Sequence, residues 1–136
     1  MPAVQLEILP GGIPFLKLSG DMTSDHAEDI DRGLADAKDQ LNTQFSIMSE
    51  KQLLLLDMGD FSGKHDPAIM KKFSDFAQEV REKIQQVFAF NANPLARLVA
   101  SAVVTLSGND NMQTFATKEQ AMDALLKYRD NMQTSG

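Results

Sequence analysis

Asp57, Asp60, His65 and Asp66 bring three carboxylates and an imidazole into one ten-residue stretch. Such a set could supply a general base, or oxygen and nitrogen ligands for a divalent cation. Its surroundings argue for neither. Asp66 precedes Pro67, the order of a helix N-cap followed by a first helical residue that needs no N–H partner, so the carboxylate already has a structural task. No serine, cysteine or lysine nearby stands in an evident activated setting. Ser62-Gly63 beside a helix start could form an anion cradle but reads first as a plain turn. A second acidic run, Asp25-His26-Ala27-Glu28-Asp29-Ile30-Asp31, reads as a capped and solvated helix start, because its carboxylates point in several directions around the helix axis. Neither a catalytic residue, nor a metal, nor a cofactor is expected.

The elements that must hold these groups follow from periodicity. Leu53-Leu54-Leu55-Leu56 ends at Asp57, which fits a strand buried on both faces that emerges into solvent at the carboxylate. A polar loop over 58–66 then leads into an amphipathic helix over 67–83. Upstream, Val4–Leu9 and Ile13–Leu18 alternate around Pro10-Gly11-Gly12, predicting a β-hairpin at one side of the sheet, with Pro14 better suited to an edge. Ala27, Ile30, Leu34, Ala37 and Leu41 have helical spacing and predict a helix over 24–41, with a capping box at Asp25 and Glu28. Residues 42–51 read as a polar connection. Downstream come a strand over 85–90, a helix capped by Asn93 and Pro94 and stopped at Gly108, a short strand over 112–116, and a helix opened by a Thr117–Gln120 capping box. The order β-β-α-β-α-β-α-β-α calls for one α/β domain over 1–130 whose sheet is parallel beyond its first hairpin, with a disordered tail over 131–136.

Composition narrows the function. The 136 residues are 43% hydrophobic, enough for one domain with a real core. Thirteen basic and nineteen acidic side chains leave a net charge of −6, which disfavours nonspecific binding to nucleic acid or anionic membranes and accommodates a basic protein partner. With no cysteine, disulfides and thiol chemistry are excluded. No signal-like start and no apolar run of about 20 residues is present, so stable membrane insertion is not expected and a cytoplasmic location is.

One segment carries more apolar surface than a single sheet contact requires. Residues 94–106 are apolar nearly all round, with Arg97 the lone charge. Three covers would satisfy Leu95, Leu98, Val99, Ala102 and Val103: the interior of the monomer, a second copy in a homodimer, or an apolar ligand.

Three local patterns, taken with the element order, resemble the STAS group of sulphate-transporter and anti-sigma-factor-antagonist domains, and most closely its SpoIIAA-like branch. They are the hairpin followed by Leu18-Ser19-Gly20-Asp21-Met22-Thr23, the strand end Leu55-Leu56-Asp57-Met58 with Asp66 nine residues on, and Phe115-Ala116-Thr117-Lys118-Glu119-Gln120-Ala121-Met122-Asp123-Ala124-Leu125. The resemblance spans nearly the whole chain. It implies a non-enzymatic bacterial signalling domain that docks a protein partner, in the antagonists an anti-sigma factor that is also a kinase, through the loop and helix start. Asp57, Ser62, Lys64, His65, Asp66 and Ala68 would form that surface. This sequence departs from the pattern at the switch: Pro67 and Ala68 follow the aspartate where the family has a phosphorylatable serine, and Ser62 lies four residues too early. The likeness of the fold to lipid-carrying SEC14-type domains implies a second function, carriage of a small apolar ligand.

Overall fold

A computed structural model describes residues 3–107 and 111–135, with side chains described for 3–102 and 111–132. Five strands form one mixed sheet in the order β1-β2-β3-β4-β5: β1 Val4–Leu9, β2 Ile13–Met22, β3 Gln52–His65, β4 Ile84–Phe90 and β5 Met112–Phe115. β1 and β2 are antiparallel, and the remaining neighbours are parallel. Helices α1 Ala27–Met48, α2 Pro67–Val80 and α3 Pro94–Ser107 connect successive parallel strands, and α4 Lys118–Ser135 closes the chain. Each parallel strand is added beside the last in one direction. Right-handed crossovers therefore put α1, α2 and α3 on the same face, leaving the other face to α4.

The leucine run serves both layers. Leu54 and Leu56 belong to the cluster under α1–α3, while Leu53 and Leu55 pack with Phe88, Phe90, Ala121 and Leu125 under α4. Leu55 is fully buried. Pro14 is tolerated in β2, an interior strand, because the ladder to β3 begins one residue later at Phe15↔Leu55.

Several boundaries differ from the sequence expectation. α1 does not end at residue 41 but continues to Met48, where Ser49 adopts a left-handed conformation (φ 58°) and its N–H bonds the Phe45 carbonyl. Nothing in 42–48 breaks a helix, and Phe45 is half-buried beneath it. The capping box at Asp25 and Glu28 does not form: a 3-10 turn over Ser24–His26 precedes α1, whose N-cap residue His26 makes no capping bond. Asp29 instead accepts the Ala3 N–H at 2.8 Å, tying α1 to β1. The two later caps do form. Asn93 Oδ1 accepts the Ala96 N–H at 2.8 Å, and at the start of α4 Thr117 Oγ1 accepts the Gln120 N–H at 3.2 Å while Gln120 Oε1 reaches back to accept the Ala116 N–H at 3.2 Å. The backbone of 131–135 continues α4 where a tail was expected, and the expected stop at Gly108 and the residue Gly136 lie outside the described residues.

The largest correction concerns residues 58–65. They are not a loop but the second half of β3, which pairs with β2 through Ser19↔Asp60, Gly20↔Phe61 and Met22↔His65. Because β4 ends opposite Asp57, at Phe90, β2 and β3 outrun the sheet as a two-stranded ribbon.

Candidate functional site

The ribbon is built by register shifts. Between the pairs Lys17↔Asp57 and Ser19↔Asp60, Leu18 faces two residues of β3, and a second irregularity follows Gly20↔Phe61. An extra residue reverses the inward phase of a strand. Met58 continues the inward positions of Leu54 and Leu56, but beyond the bulge it is Phe61 that turns in, 2% exposed, while Asp60, Ser62, Lys64 and His65 stay at the surface.

An open strand edge invites pairing with another chain, and here side chains occupy its backbone groups. Asp57 Oδ1 accepts the Gly59 N–H at 2.8 Å, Asn93 Nδ2 donates to the Phe61 carbonyl at 3.2 Å, Ser62 Oγ accepts the Lys64 N–H at 3.1 Å, and His65 Nδ1 lies 2.9 Å from the Gly63 carbonyl. Asn93 thus both caps α3 and takes up part of the edge that β4 leaves.

Cross-links to the preceding segment hold the ribbon's outer side. The Ser62 hydroxyl donates to Asp21, and Lys17 pairs with Asp60 at 3.0 Å, an arrangement that raises the Lys17 pKa through the hydrogen bond and charge of that carboxylate. Asp66 occupies the N-cap position of α2 with Pro67 after it, as expected, yet its carboxylate makes no capping bond. It accepts the Ser24 hydroxyl at 2.7 Å and the Ser24 N–H at 2.6 Å, and these two bonds, side chain first, lower its pKa. Both ends of the ribbon are therefore fastened by partners distant in sequence.

The expected docking residues are brought together, in different roles. Asp57, Ser62 and Asp66 are bonded within the framework, whereas Lys64, His65 and Ala68 are exposed on it. Asp57 and His65 do not meet as an acid–base pair, since each is satisfied by a backbone group two residues away. Among the described residues, no group of three or more His, Cys, Asp or Glu side chains could hold a metal ion. Sequence reasoning missed Lys17, Asp21 and Ser24, and saw Asn93 only as a cap. Asp21 had a signal, since it stands in the Gly20-Asp21-Met22-Thr23 pattern, but its partner Ser62 is 41 residues away.

The five apolar residues of α3 separate. Val99 is buried and lines a cavity of about 110 Å3 between the sheet and α2–α3, Leu95 (44% exposed) lies against Gly63 of the ribbon, and Leu98 (68%) faces outward. Ala102 is partly buried against the core, and the side chain of Val103 lies outside the described residues. Seventeen residues line the cavity, all of them apolar, with Met70, Phe73 and Phe76 of α2 forming one wall. No described helix is long and apolar enough to cross a membrane.

No family model matches the sequence, and no curated protein matches it. Solved structures do. An uncharacterized protein from the DUF3478 family with a SpoIIAA-like fold, from Shewanella loihica PV-4, superposes with a TM-score of 0.62 at 12% identity, over 90% of this chain and 92% of that chain. Sheet order, helix placement and this superposition agree: the chain has the SpoIIAA-like fold, a single-domain α/β architecture.

Proposed function

We propose that this chain is a non-enzymatic interaction domain that docks a protein partner on the β2–β3 ribbon and the first turn of α2. The observation that carries this reading is the division of labour on the ribbon. Asp57, Ser62 and Asp66 are consumed in holding a rigid frame, while Lys64, His65 and Ala68 stand free of the core on that frame. A surface already ordered before binding loses little entropy on association. Side-chain occupation of the strand edge favours recognition through side chains over added-strand pairing. In the anti-sigma antagonists that the sequence resembles, a phosphorylatable serine follows the aspartate at the helix start and makes docking kinase-switched. Pro67 and Ala68 offer no hydroxyl there, so docking here is constitutive with respect to that switch.

The test is affinity capture from the source organism with three charge reversals, Lys64→Glu, His65→Glu and, on the exposed face of α4, Lys127→Glu. A protein retained by the parent chain and by Lys127→Glu, but lost with the two ribbon variants at unchanged melting temperature, is the expected result. An identical capture profile for all three variants would contradict the reading.

The apolar cavity favours a second function, carriage of a small apolar molecule. At about 110 Å3 it falls short of the roughly 150 Å3 of an engineered dry cavity that takes up benzene, so only a short aliphatic or very small ring fits without α2 and α3 moving apart. Native mass spectrometry after gentle purification should then show an adduct that solvent extraction removes. A chain that is always empty and gains no thermal stability from added short-chain alkanes excludes this reading.

A further inference from the structure

Phe76 stands between two spaces. On one side it forms part of the wall of the buried apolar cavity, and on the other it lines a surface groove of about 240 Å3 between α1 and α2. Among the described residues it alone borders both. The ring is partly buried and packs against the core cluster, so a single side chain separates the cavity from the groove. The groove itself crosses a weakly joined seam. α1 is fastened to the sheet: Asp29 accepts the Ala3 N–H, Gln40 Nε2 donates to the Leu6 carbonyl at 3.1 Å, and Gln52 Nε2 of β3 donates to the Leu41 carbonyl at 3.1 Å. Its links across the groove to α2 are of another kind.

Lys38 of α1 pairs with Glu79 of α2 at 3.0 Å, and Lys72 of α2 pairs with Asp31 of α1 at 2.9 Å. The four side chains are between 35% and 56% exposed, and ion pairs so placed are weak and screened by salt. At the groove α1 offers Ala35, exposed and too small to reach far across it. We propose that the α1–α2 seam is the door to the apolar cavity. When the two ion pairs part, the Phe76 ring swings aside, groove and cavity join, and a small uncharged apolar molecule passes. The inference rests on the carriage reading given above and adds its entry route and its control: screening of the ion pairs opens the door more often as ionic strength rises.

The chain has no cysteine, so introduced thiols report access to the interior. Leu56→Cys puts one on the cavity wall, and Leu55→Cys puts one on the same strand but on the opposite face, in the cluster under α4. Their rates of modification by methyl methanethiosulfonate, a small uncharged reagent, are compared. Adding Lys38→Glu should speed the Leu56→Cys reaction about fivefold, the factor that loss of one surface ion pair allows, and leave Leu55→Cys unchanged. The exchanged pair Lys38→Glu with Glu79→Lys should restore the slow rate. Salt at about 1 M should accelerate Leu56→Cys alone. Phe76→Ala should accelerate it more than Met112→Ala, which thins the cavity wall at β5, the edge strand away from α1. Equal acceleration of both thiols, no effect of Lys38→Glu, no restoration by the exchanged pair, a larger effect of Met112→Ala, or a Leu56→Cys thiol inert in every background would each overturn the door. Adducts in native mass spectrometry together with labelling indifferent to these changes would contradict the door and leave carriage standing. Seam-dependent labelling of a chain that never carries an adduct would support the door and contradict carriage alone.

Discussion

Replacing Phe61 with alanine is expected to lower the free energy of unfolding by about 3–5 kcal/mol, measured as a shift in the denaturant midpoint at constant slope. The ring is 2% exposed and packs in the core cluster that contains Met22, Met58 and Ile69. It also lines the apolar cavity, so its removal enlarges a void that already exists, which places the cost toward the upper end of that range. Were residues 58–66 the exposed loop that the sequence suggests, the same change would cost no more than about 0.5 kcal/mol. A loss below about 1 kcal/mol would contradict the bulged strand.

Gly63→Ala should be the second most damaging change, and Gly20→Ala on the facing strand gives its control. Both glycines have positive φ, +94° and +76°, where a Cβ costs about 1–2 kcal/mol. Their surroundings differ. A Cβ on Gly20 would meet nothing within 4 Å, whereas one on Gly63 would lie 2.6 Å from Leu95 Cγ and 2.8 Å from Leu95 Cβ. The Cβ of Leu95 is fixed by the α3 backbone and cannot rotate away, so α3 must shift. Gly63→Ala is therefore expected to exceed Gly20→Ala by about 1–3 kcal/mol, the cost of overpacking, when the two are unfolded side by side. Equal losses would mean that Leu95 does not rest on the ribbon.

Much of the fold was legible because local signals and tertiary need coincided. The leucine run had to be a strand buried on both faces, and it meets helices on both. Asn93 and Thr117 cap where spacing put them, and the parallel order followed from the alternation of elements. The ribbon was not legible because its local signals point the other way. Gly59, Gly63 and Ser62 read as turn residues, and Ser19-Gly20 reads as a stop, yet each strand is the partner that keeps the other extended. The bulge then erases the alternation by turning Met58 and Phe61 inward from positions of opposite phase. Asp66 shows the same limit at one residue: its place at the helix start was readable, but the Ser24 that takes its carboxylate is 42 residues away. Within α3, composition showed excess apolar surface, and only packing could say that Val99 turns in while Leu98 turns out.

The central claim is that the partner rests on the ribbon and the first turn of α2. Hydrogen exchange of the chain alone and with the captured partner bound tests it most directly. Added protection over residues 58–70, with α4 and β5 unchanged, is the predicted result. Protection falling on α4 or β5 while 58–70 exchange as in the free chain would contradict it.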